Sequence, residues 1–141
     1  MASVEDNIKA AKTFVDAMNK HDEKLLGSVC NEDAVATEMA FPDEHFTGRA
    51  EIEECYRELF DAFPDCETKV LSTIADENGV QFEVSWKGTN KADFRGIPAT
   101  NTFVDVPISY VFHMKDGKIQ EIQEFYDELS VEIQMGLRES E

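Results

Sequence analysis

Pro64 divides this chain into two kinds of pattern. Before it, apolar residues recur at three- and four-residue steps; after it, they recur at every second residue. A chain that runs helices first and strands afterwards predicts an α+β fold, with helices packed on one face of an antiparallel sheet. The cleanest alternation lies in Phe103 to His113, where Val104, Val106, Ile108, Tyr110 and Phe112 share one face. Pro107 has the other parity, which suggests an edge or a bulge.

The helical half begins at Ser3 and Asp6, a cap with an acid in the first turn. Ile8, Ala11, Val15 and Met18 then form a stripe, with Phe14 beside it, as far as Asn19 to His21. Asp22 can cap a short second helix holding Leu25, Leu26 and Val29. Asn31 to Asp33 reads as a turn, Ala34 to Thr37 as a short strand and Phe41 to Gly48 as a loop. A third helix carries Ile52, Cys55, Tyr56, Leu59, Phe60 and Phe63 on one face. Strands follow at Thr68 to Ile74 and Val80 to Lys87, then a long loop from Thr89 to Asn101 with Gly96 and Pro98.

The C-terminal part predicts a hairpin, Ile108 to His113 and Ile119 to Tyr126, around a Lys115-Asp116-Gly117-Lys118 turn. Two registers are open. A two-residue Asp116-Gly117 turn pairs Lys115 with Lys118 and puts Asp127 on the face of Tyr110 and Phe112. A bulge at Gly117 shifts pairing by one and moves Asp127 to the face of His113.

The 141 residues fit one domain, 1–141, and 42% hydrophobic content is enough for a sizeable core. The net charge of −17 repels phosphate backbones and anionic lipid, so neither nucleic acid nor membrane is expected as a partner. No apolar run approaches the ~20 residues of a bilayer span, and the N-terminus lacks the layout of a signal peptide. Three cysteines without Cys-x-x-Cys spacing argue against a disulfide framework or zinc site, and make a cytoplasmic location the simplest expectation. No metal site or phosphate loop is expected from the histidine, acid and glycine spacing.

Several stretches together resemble the SnoaL-like polyketide cyclases, also called ester cyclases, of the nuclear-transport-factor-two-like superfamily. They are GRAEIEECYRELFDAFPD (Gly48 to Asp65), WKGTN (Trp86 to Asn90), FRGIPATN (Phe94 to Asn101), DGKIQEI (Asp116 to Ile122) and the segment from Asp127 to Gly136. The resemblance implies a cone-like α+β barrel, with three N-terminal helices packed on a curved antiparallel β-sheet around a deep pocket. It also implies a homodimer through the outer sheet face, and aldol-type ring closure without metal or organic cofactor. An aspartate on the last strand serves such cyclases as acid/base, and Asp127 matches it in position. Two departures stand out: Asn90 replaces the histidine of a Gly-Thr-His motif, and Pro98-Ala99-Thr100-Asn101 replaces Pro-Pro-Thr-Gly.

The candidate site follows. Asp127 is either a general base, its pKa raised beside Phe125 and Tyr126, or the N-cap of a segment from Leu129. His113 or Tyr110 is its partner, according to register. Trp86 and Asn90 share parity and could line a pocket wall with Phe82 and Val84; Asn90 could equally cap its loop. Glu38, in DAVATEMAFP, lies near where the ketosteroid isomerase relatives carry their base, and is a second pocket acid or a strand-end charge. Those isomerases place an oxyanion-donating tyrosine where this chain has Phe14. The expected ligand is a small hydrophobic molecule, either transformed or simply bound. A pocket filled by Trp86, Phe82 and Phe125 would instead favour a dimeric interaction module.

Overall fold

The computed structural model describes residues 2–139. Helix α1 (Val4–Lys20) opens on a capping box: the Ser3 hydroxyl accepts the Asp6 N–H at 3.1 Å and the Asp6 carboxylate accepts the Ser3 N–H at 3.0 Å. It closes on His21 in the left-handed conformation. Asp22 caps α2 (Glu23–Ser28) through the Leu25 N–H at 3.0 Å, and α3 (Arg49–Ala62) follows two strands. Those strands, β1 (Cys30–Glu38) and β2 (His45–Thr47), extend the expected Ala34–Thr37 strand and occupy part of the expected Phe41–Gly48 loop.

After α3 come β3 (Glu67–Ala75), β4 (Gly79–Thr89), β5 (Phe103–Lys115), β6 (Lys118–Phe125) and a fourth short helix, α4 (Glu128–Gln134). The six strands form one sheet in the order β2-β1-β6-β5-β4-β3. All pairs are antiparallel except β1 with β6. The helices cover its inner face, which makes the barrel-like α+β fold that the sequence resemblance implies. Phe14 joins the layers: fully buried, it meets Phe112 at 5.1 Å and Tyr56 at 5.3 Å edge-on. Burying a side chain of that size contributes roughly 1.5–3 kcal/mol.

The hairpin register has an unexpected answer. The turn is the two-residue one: Lys115 pairs with Lys118, and Asp116 and Gly117 take φ of 55° and 76°. Two steps later the ladder slips. Met114 pairs with Ile119 but His113 pairs with Glu121, leaving Gln120 as a bulge. Ile119 and Ile122 are both fully buried although three residues apart, and only a bulge puts both on one face. From Ile122 onward, even-numbered residues of β6 face inward: Glu124 sits opposite Tyr110, and Phe125 opposite Ser109.

Pro107 lies in an unbroken β4–β5 register, opposite Ser85, so it is not a bulge. Beyond Ser109, however, β6 has ended, and that side of β5 is a local edge. Gln134 of α4 takes the missing strand's place at Asp105, accepting its N–H at 2.7 Å and donating to its carbonyl at 3.0 Å. Pro107, two residues on, presents its lost N–H on the same open side.

Candidate active site

Between the inner face of β4, β5 and β6, helices α3 and α4, and the loop after β4 lies a cavity of about 300 Å³. Its walls are mostly apolar and aromatic, among them Leu59, Phe63, Trp86, Val104, Val106, Ile108 and Val131. Trp86 lines the space without filling it, and Phe82 is buried in the core behind.

Two carboxylates enter this apolar space side by side. Glu38 ends β1 and Glu124 lies near the end of β6, and the parallel register makes them direct neighbours. Glu124 accepts a short hydrogen bond from the Tyr56 hydroxyl on α3. It is half-buried and lines the cavity. Burial pushes its pKa up, and the like charge of Glu38 pushes it further. The hydrogen bond from Tyr56, the charge of Arg95 and the hydroxyl of Tyr110 pull it back, leaving it at about 7.

Glu38 forms a short ion pair with Arg95, the only cationic side chain among the lining residues, and accepts the Tyr126 hydroxyl at 3.3 Å. Arg95 arrives from the loop after β4, where it holds φ of 49°. Its guanidinium stacks over Phe94 at 4.8 Å and Phe46 at 5.5 Å. Burial opposes its charge, but the hydrogen bond and charge of Glu38 outweigh that and push its pKa above the ordinary value. Cys55 also lines the cavity; burial and the nearby Glu124 push its thiol up to about 12, so it carries no thiolate at neutral pH.

Residues 8–135 match the sequence pattern of the SnoaL-like polyketide cyclases. The chain belongs to that family. A solved structure of a candidate SnoaL-like polyketide cyclase from Jannaschia sp. CCS1 is similar over 98% of this chain and 96% of its own, at 18% identity and a TM-score of 0.87. A protein with a ketosteroid isomerase-like fold from Catenulispora acidiphila, solved with trimethylamine, is similar over 92% and 94%, at 18% identity and a TM-score of 0.78. An epoxide hydrolase of M. tuberculosis is similar over 90% and 86%, at 18% identity and a TM-score of 0.73. At these identities the likeness is one of fold. No curated protein matches the chain.

In this SnoaL-like protein the expected site residues divide. Trp86, Tyr110 and Glu38 line the cavity. Asp127 does not: it caps α4, accepting the Ser130 N–H at 3.2 Å, and lies exposed. The Gln120 bulge is the reason, since it turns odd-numbered residues of β6 outward and the chain leaves the strand at Phe125. Phe125 is accordingly exposed on the outer sheet face, 43% accessible. His113 is on that face too, with its Nε2 2.9 Å from Gln123 Oε1 and 3.7 Å from Glu121.

Asn90 is fully buried but spends its side chain on the loop: Oδ1 accepts the Thr100 N–H at 2.7 Å and Nδ2 donates to Ala92 at 2.9 Å. It pins the segment that carries Arg95. Sequence reasoning missed Glu124, Arg95 and Tyr56 as a polar group. For Glu124 a signal existed, the three-residue spacing of Ile119 and Ile122 followed by an acid two positions on. For Arg95, in an irregular loop, there was none.

Proposed function

We propose that this protein is a cofactor-independent acid/base enzyme of the cyclase or isomerase type, acting on a small, largely apolar carbonyl compound, with Glu124 as its base. The observation that supports this most is a carboxylate raised to about 7 on the wall of an apolar cavity, beside a fixed guanidinium. A base of that pKa is matched to proton transfer at neutral pH.

Glu124 takes the proton from the carbon next to the carbonyl. The C–H electron pair becomes the C=C of an enolate, and negative charge develops on the carbonyl oxygen. Arg95, oriented by Glu38 and by its two stacked phenylalanines, supplies N–H donors to that oxygen. In ring closure, the enolate carbon bonds to a second carbonyl carbon of the same molecule and Glu124 returns its proton to the new alkoxide. In isomerisation, the proton returns to a different carbon. Tyr56 holds the carboxylate in place, and Trp86 with Tyr110 packs the substrate's apolar body.

The test is deuterium exchange at the α-carbons of a panel of apolar ketones and β-keto esters, followed by NMR. Glu124→Gln is expected to lose about 10²- to 10⁴-fold of any catalysed exchange, while Asp127→Asn keeps it. Full exchange in Glu124→Gln would overturn the assignment. Binding of these compounds with no catalysed exchange in the unmodified protein would favour the second reading, a small hydrophobic ligand carrier of the same fold. A homodimer through the outer sheet face, where Ile74 and Phe125 flank a shallow groove, and a cytoplasmic location belong to the same proposal.

A further inference from the structure

The cavity's charge is lopsided. Glu38, Glu44, Glu124, Glu128 and Glu132 line it against Arg95 alone. Arg95 is already engaged by Glu38, and Glu132 is paired with Arg138 at 3.6 Å. Glu128 and Glu44 have no ion-pair partner among the described residues. Glu128 opens α4 on the cavity wall, half-buried, and burial raises its pKa. It is a partly desolvated carboxylate without a cation.

The walls around these acids are a second and independent feature. Phe41, Tyr56, Trp86 and Tyr126 are among the lining residues, as is Phe94, whose ring Arg95 already covers. Aromatic faces carry negative quadrupole potential and attract alkylammonium groups, which pack against them as apolar bodies while keeping their charge. A neutral ligand gains only from the rings; an anion is repelled by the acids. The surface around the mouth belongs to a chain of net charge −17, which draws cations towards it.

We infer that the cavity takes a ligand carrying a positively charged alkylammonium group, held between Glu128 and the aromatic wall while the rest of the molecule reaches Glu124. This deepens the reading of the cavity as a substrate site and names the charge of its substrate. It does not require turnover, so it is tested by binding.

Trp86 is the chain's only tryptophan and lines the cavity, so its fluorescence reports occupancy. The probes are choline and its uncharged isostere 3,3-dimethylbutan-1-ol, which differ in a nitrogen for a carbon. Choline is expected to change Trp86 emission with about tenfold tighter binding than the alcohol at low ionic strength. Glu128→Gln is expected to remove most of that preference, whereas Glu83→Gln, on the outer sheet face, leaves it intact. Equal affinity for the two probes, no response to choline, or equal loss in both variants would overturn the inference. The last outcome would assign the preference to overall charge. None of these results bears on the exchange test of Glu124, which can fail or succeed independently.

Discussion

Replacing Glu124 by glutamine is expected to stabilise the protein, and only above a certain pH. In the unfolded chain the carboxyl titrates near 4.5; in the folded chain it titrates near 7. Between those values the folded state binds the proton more tightly. The stability this brings is complete below about 4.5, falls as pH rises, and is lost once pH passes about 7. At pH 8 the ionised carboxylate therefore costs the fold what its protonated form does not. Some 2.5 pH units at ~1.4 kcal/mol each set a ceiling of about 3.5 kcal/mol. Glutamine keeps the shape and can still accept from Tyr56, but has no charge to desolvate. Thermal or urea unfolding of the two proteins at pH 5 and pH 8 is the assay. The variant is expected to match the parent within about 1 kcal/mol at pH 5 and to exceed it by roughly 1–3 kcal/mol at pH 8. A difference independent of pH, or a variant less stable at pH 8, would refute the electrostatic picture of the site. A gain of this kind at the cost of function is the usual trade at a strained site.

Two further predictions test the neighbours. Tyr56→Phe keeps the ring that packs on Phe14 but removes the donor to ionised Glu124, a bond of about 1.5–3 kcal/mol. Its carboxyl midpoint, read by ¹³C NMR, is expected to rise by about one to two pH units; an unchanged midpoint would remove Tyr56 from the site. Asp127→Ala is expected to cost about 1 kcal/mol in urea unfolding through the lost cap of α4, while leaving the Glu124 midpoint in place. A shifted midpoint would tie Asp127 to the cavity after all.

Much of the fold was legible because its signals are local. Ser3 with Asp6 and Asp22 cap their helices as the residue types require. The alternation from Val104 to Phe112 places the inner face of β5 without error. The site was harder, because it hangs on a single inserted residue. Asp116-Gly117 makes the turn its sequence predicts, yet Gln120 cancels the register that turn sets. The acid of β6 that faces the cavity is therefore Glu124, three residues before the one that the family resemblance indicates. Arg95 was out of reach for another reason: its position depends on Asn90 pinning the loop and on Glu38 arriving from a strand 57 residues earlier. The asparagine that stands at position 90 has its side chain turned to the loop backbone, at Ala92 and Thr100.

The most direct measurement is the titration of the Glu124 carboxyl itself, by ¹³C NMR of glutamate-labelled protein with Glu124→Gln as the assignment control. A midpoint near 7, moving when Glu38 is replaced by glutamine, is the result expected of a base poised beside a second acid. A midpoint near the ordinary ~4.3 of a solvated glutamate, indifferent to Glu38, would contradict it.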